Sequence, residues 1–158
     1  MVEIAAGSHS SDPYNLQRFV SAQEGVYQNA LAEIQGGRKT SHWMWFVFPQ
    51  ASGLGRSSTS QRYAIGSRDE AACYLQHPIL GPRLVEITEA LLRLQGRSAH
   101  DIFGSPDHLK LRSCATLFAE VSPPASVFQR VLERYFGGKP DARTLELLKD
   151  APLINGGR

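Results

Sequence analysis

Thr40-Ser41-His42-Trp43-Met44-Trp45-Phe46-Val47-Phe48-Pro49-Gln50 contains the apolar run Trp43–Phe48, whose assignment decides the fold. Over so few residues, periodicity does not separate a buried strand from a buried helical turn. Context does. A strand must pair its backbone groups with another strand, and the chain offers no second strand candidate. Ser41 stands where a helix cap belongs, and Pro49 where a helix stops. The run is expected as a short buried helix, and the chain as all-α.

On the N-terminal side of this run, Asp12 and Pro13 form a cap and a first helical position. Leu16, Phe19, Val20, Val26, Tyr27, Ala30, Leu31 and Ile34 follow at helical spacing, and Gly36-Gly37 ends the segment. On the C-terminal side, Ala51–Gln61 is rich in Gly and Ser and reads as a loop. Ser67-Arg-Asp-Glu70 has the capping-box pattern, so a helix is expected from near Arg68 to about Gln76, ended by His77-Pro78. Further helices are expected over about Ile79–Leu94, from Ser105-Pro106 through Phe118, over Ala125–Phe136 and over Asp141–Lys149, with a short turn capped by Ser98 through Phe103. Together these give about six or seven helices around one core, a single domain over residues 12–150. Phe19, Trp45, Leu84, Leu91, Leu117, Phe128 and Phe136 lie on apolar faces and are expected to be buried.

Residues 1–11 have neither the basic nor the apolar region of a signal peptide and are expected as a disordered tail. Residues 151–158, ending Asn-Gly-Gly-Arg, are expected as a second, flexible tail. No segment approaches the roughly 18 apolar residues of a membrane span. Cys73 and Cys114 sit among apolar residues and read as buried thiols in a reducing cytoplasm rather than a disulfide framework.

The 158 residues carry 17 Lys and Arg and 15 Asp and Glu, a formal net charge of +2. That balance argues for no particular partner, but its distribution is uneven. Ile34–Arg68 holds Arg38, Lys39, Arg56, Arg62 and Arg68 and no acidic residue, where about three would fall by chance. Both tryptophans, His42 and the loop Gly53-Leu54-Gly55-Arg56-Ser57-Ser58 lie in the same stretch. Glycine-freed amides, hydroxyls and guanidinium groups are what a phosphate or carboxylate needs. The expected ligand-binding residues are therefore Arg38, Lys39, Trp43, Gly53, Gly55, Arg56 and Ser57. His42, in a basic setting that favours neutral imidazole, and Gln50 are the candidates for acid–base work. Zinc-ligand spacing, His-Glu-x-x-His, a Gly-x-Ser-x-Gly elbow and nucleic-acid motifs are all absent, and no obvious paired carboxylates mark a glycosidase, so neither a metal nor a cofactor is expected and a nucleic-acid partner is disfavoured.

Asp12-Pro-Tyr-Asn-Leu-Gln-Arg-Phe19, Arg38 to Gln50, Gly53-Leu-Gly55, Tyr74-Leu-x-His-Pro78, Leu80-Gly-x-Arg-Leu84, Asp101 to Asp107, Lys110-Leu-Arg-Ser113 and Tyr135-Phe-Gly-Gly138 resemble a family of small bacterial proteins classed as a domain of unknown function. The resemblance spans roughly Asp12 to Lys149 and implies an all-α fold in an intracellular bacterial setting. Members are sometimes labelled calpastatin. Calpastatin-type inhibitors are disordered segments of low apolar content, and this chain, 42% hydrophobic and helix-patterned, does not read as a calpain inhibitor.

Two functional readings follow. In one, the 38–62 segment binds, or binds and acts on, a small anionic ligand such as a nucleotide or phosphorylated metabolite. In the other, Trp-rich residues 42–50 form a protein-binding surface, since Trp and Arg dominate interface hot spots. A pocket lined by His42, Gln50 and Arg56 favours the first, and a flat exposed aromatic patch the second.

Overall fold

The Trp43–Phe48 run forms one helical turn, Met44–Val47, as its context predicts. Trp43, Met44, Val47 and Phe48 are sealed, and Trp45 and Phe46 are half-buried. The i, i+1, i+4, i+5 spacing of the sealed residues is one face of a helix. This corrects the expectation for Trp45: Trp43 is the core tryptophan. Ser41 does not cap the turn either. Trp43 occupies the cap position without a side-chain bond, and the Ser41 hydroxyl donates to Glu33 at 2.6 Å.

The computed structural model describes residues 12–156, with side chains for residues 12–149. The expected tail over residues 1–11 lies outside the described residues. Ten helical segments are present among them, not six or seven: α1 (Gln17–Gln23), α2 (Tyr27–Gln35), α3 (Met44–Val47), α4 (Ser58–Arg62), α5 (Arg68–Gln76), α6 (Leu80–Arg93), α7 (Ala99–Phe103), α8 (Asp107–Glu120), α9 (Val127–Phe136) and α10 (Ala142–Gly156). The extra elements have local causes. Gly25, at φ +71°, breaks the helical backbone and splits the first expected helix into α1 and α2. Ser57 accepts the Ser60 amide at 3.0 Å and so starts α4 inside the expected loop. Asp12 caps α1 from a distance, accepting the amides of Leu16 and Gln17 at 2.7 and 3.1 Å. The backbone of α10 continues to Gly156, through most of the segment expected as a flexible tail.

The two 14-residue helices α6 and α8 organise the packing. α8 contacts α5, α7, α9 and α10, and α6 contacts α2, α5 and α9. An aromatic row crosses the core: Phe19 meets Tyr74 edge-on at 5.1 Å, Tyr74 meets Phe118 at 5.3 Å, and Phe118 meets Phe128 at 5.6 Å. Phe19, Leu84, Leu91, Leu117 and Phe128 are buried as expected, whereas Phe136 is half-buried at the end of α9. The α5–α6 corner requires Gly81, because a β-carbon there would lie 2.0 Å from the Leu75 carbonyl oxygen. His77 does more than stop α5. Its Nδ1 accepts the amides of Ile79 and Leu80 and so leads the chain into α6.

The segment carrying α4 is fastened at its base. The Ile65 amide donates to the Gln50 carbonyl at 3.0 Å and the Ser52 amide to the Ile65 carbonyl at 2.8 Å. This Ala51–Ile65 bridge is the extent of β-structure among the described residues. Arg18 completes the fastening by donating to the carbonyls of Tyr14, Asn15, Arg62 and Ala64 and to the Glu70 carboxylate.

Candidate functional site

Two Gly-Arg pairs, each following a helix, deliver an arginine to one cleft. α2 stops at Gly36-Gly37, with Gly37 at φ +86°, and Arg38 follows. α6 is followed by Gly96 at φ +73°, then Arg97. Glycine takes such backbone angles without strain, and the arginine after each is exposed. α7 then begins under a reciprocal cap: the Ser98 hydroxyl accepts the Asp101 amide, and the Asp101 carboxylate accepts the Ser98 amide, both at 3.0 Å. Arg38, Lys39, Arg97, His100, Asp101 and the Ile102–Gly104 turn line an open cleft of about 420 Å³.

The charge in this cleft is unbalanced. Lys39 is spoken for: its ammonium pairs with Asp107 at 2.9 Å, its side chain is only 8% exposed, and it lies over the Trp43 ring. Arg38 and Arg97 are exposed and have no side-chain partner among the described residues. His100 meets His108 edge-on at 5.2 Å, and the His108 Nδ1 is within 3.1 Å of the Gly104 carbonyl. The one acid in the cleft, Asp101, is held below the usual carboxylate range by the Ser98 amide and hydroxyl.

Beneath the cleft, Glu33 anchors the 38–43 loop. Its carboxylate accepts the amides of Thr40 and Ser41 at 2.8 and 3.1 Å, the Trp43 indole N–H at 2.9 Å and the Ser41 hydroxyl. Partial burial pushes this carboxyl up, but the bonds from Ser41, Thr40 and Trp43 outweigh it and hold the pKa at about 2. The acid-free stretch thus begins one residue after the carboxylate that organises it.

The sequence-predicted residues divide. Arg38 and Lys39 line the cleft; His42, Gln50, Gly53, Gly55, Arg56 and Ser57 do not. Trp43 is 1% exposed and offers no face to a ligand. His42 and Arg56 are exposed, and Gln50 is half-buried. Gly53 sits at φ +102°, and a β-carbon there would lie 3.1 Å from Leu147 of α10. A β-carbon on Gly55 would meet the Ser60 side chain at 2.4 Å. The Ser57 hydroxyl is engaged with Ser60. The loop's own folding therefore accounts for these three residues. The other half of the cleft, Arg97 to Gly104, was missed because it lies some sixty residues downstream of Arg38. Its legible signal was the second Gly-Arg pair, Gly96-Arg97, directly after an amphipathic helix.

The Trp-rich segment presents no flat aromatic patch. Trp43 and Phe48 are in the core, and the Lys110 ammonium lies over the Trp45 ring at 5.3 Å. Among the described residues no helix is long and apolar enough to cross a membrane, and no three His, Cys, Asp or Glu side chains cluster as a metal site.

No curated protein matches the chain. The crystal structure at 1.38 Å of the conserved hypothetical protein Rv1873 from Mycobacterium tuberculosis is similar, with 51% identity and a TM-score of 0.86, covering 87% of this chain and 99% of that one. A family model described as a protein of unknown function, DUF1810, matches residues 13–148, and with that match the chain belongs to the DUF1810 family.

Proposed function

We propose that the protein binds a small anionic ligand in the cleft between the 37–39 turn and α7, with Arg38, Arg97 and His100 as its contacts and Lys39, paired to Asp107, in the wall. The carrying observation is that two exposed arginines line one cleft and neither forms a salt bridge among the described residues. Gathering like charges on one concave surface costs free energy that an anion offsets. The cleft volume of about 420 Å³ falls within the range of small-molecule sites. Compared with the sequence expectation, the anion site keeps Arg38 and Lys39 and exchanges the Gly53–Ser57 loop for Arg97 and His100.

Titration with inorganic phosphate, followed by calorimetry and by amide chemical shifts, tests this reading. Saturable shifts at Arg38, Arg97 and Gly104 are expected. Arg97→Ala should weaken binding about tenfold or more, the usual cost of losing one charge-assisted bond, and leave the melting temperature near that of the parent. Shifts confined to the Gly53–Ser57 loop would return the site to the segment the sequence first suggested.

A further inference from the structure

Given that reading of the cleft, we infer that Asp107 sets its affinity from behind the wall: this carboxylate withholds the Lys39 charge from the ligand, so the cleft binds anions less tightly than its cations allow.

Lys39 is held at both ends. Its amide donates to the Ile102 carbonyl of α7 at 2.7 Å, its ammonium bonds Asp107 at 2.9 Å, and it lies over the Trp43 ring at 5.1 Å. That ring is fixed in turn by the bond from its N–H to Glu33. With only 8% of its side chain exposed, Lys39 acts on a ligand as a charge held in place.

Asp107 decides how much of that charge is felt. It is the first residue of α8 and does not line the cleft. Its two oxygens serve two lysines: Oδ2 pairs with Lys39, and Oδ1 with Lys110 at 3.4 Å. Lys110 is itself placed over the Trp45 ring. Both members of the Lys39–Asp107 pair are largely withdrawn from water, so solvent screens them less than it screens the exposed Arg38 and Arg97. A carboxylate so placed attracts Lys39 and repels an anion in the cleft at the same time. Removing it adds one unit of positive charge behind the wall, and removing Lys39 subtracts one. The two changes must then move affinity in opposite directions. If Asp107 only kept the wall in shape, its loss would weaken binding or leave it alone.

The experiment is calorimetric titration with inorganic phosphate at pH 7.5 and constant ionic strength, on the parent and on Asp107→Asn, Lys39→Met and the double variant. Asp107→Asn should bind phosphate about three- to fivefold more tightly, the order of one unit charge acting across partly screened protein, even though its melting temperature falls with the loss of the ion pair. Lys39→Met should bind more weakly by a similar factor, and the double variant should recover most of that loss. A thermal melt of each variant checks folding. If Asp107→Asn does not fold, the step from Lys39→Met to the double variant removes the same carboxylate, and the same gain is expected there. Affinity in Asp107→Asn equal to or below that of the parent, or a double variant no tighter than Lys39→Met, would overturn the role of Asp107 while leaving anion binding intact. If phosphate binds neither the parent nor any variant, the anion-binding reading itself falls.

Discussion

Replacing Glu33 by glutamine removes one negative charge and nearly preserves the side chain's shape. In the parent, one carboxylate oxygen accepts three N–H donors and the other accepts the Ser41 hydroxyl. Glutamine keeps a carbonyl for the three N–H groups, and Ser41 can rotate to accept from the new amide. What is lost is charge assistance. The folded carboxyl is lowered from 4.5 to about 2, so its stabilisation is complete above the unfolded pKa and is lost as pH falls toward 2. A depression of that size corresponds to about 3 kcal/mol, and partial exposure of Glu33 reduces this to about 2 kcal/mol. Glu33→Gln should thus lower stability at pH 7 by about 2 kcal/mol, or about 4–8 °C in Tm for a chain of this size. Urea titrations of both proteins from pH 7 to pH 2.5 give the check. Other carboxylates titrate alike in both and cancel, so the gap between the curves should narrow below pH 4.5. A gap that stays constant down to pH 2.5, or no gap at pH 7, would refute the account of Glu33 as the anchor of the 38–43 loop.

Gly81→Ala should be severely destabilising, by about 3 kcal/mol or more, because the obstructing atom is the backbone oxygen of Leu75 and cannot rotate away; thermal melting measures it, and a neutral result would mean that α5 and α6 do not meet so closely. Phe118→Ala, at the junction of Tyr74 and Phe128, should cost about 3–5 kcal/mol, read by chemical denaturation. Acrylamide quenching should find one shielded and one accessible tryptophan, and Trp43→Phe should remove the shielded component.

The parts of the fold that were legible in the sequence are those with a local cause. Ser67 and Ser98 each accept an amide three residues on, and Gly137 ends α9 in the left-handed conformation. These chain-local devices have readable spacing. The break at Gly25 was hidden because apolar residues keep helical spacing across it. The choice between Trp43 and Trp45 was not legible, since either could lie inward until the position of the turn was fixed by Glu33. The Ser-rich α4 carries no apolar stripe and owes its start to one cap. For the candidate site, the basic character of the 38–39 turn was legible and its partner was not. Charge composition locates one wall of a cleft, but only the docking of α7, through the Lys39 amide and the Ile102 carbonyl, supplies the other.

Arg18 has a consequence for how the molecule opens. Its guanidinium spends five N–H bonds on groups from three stretches, residues 14–15, residues 62–64 and Glu70, and an arginine has only five to give. The farthest acceptors lie 44 to 52 residues away in the chain. Lifting the 49–66 segment alone would break the bonds to the Arg62 and Ala64 carbonyls while Arg18 stays on Glu70, Tyr14 and Asn15, so partial opening there costs two charge-assisted bonds. The Ile65 and Gly66 amides should then exchange their hydrogens with solvent more slowly in the parent than in Arg18→Lys, despite belonging to a surface connection rather than a long helix.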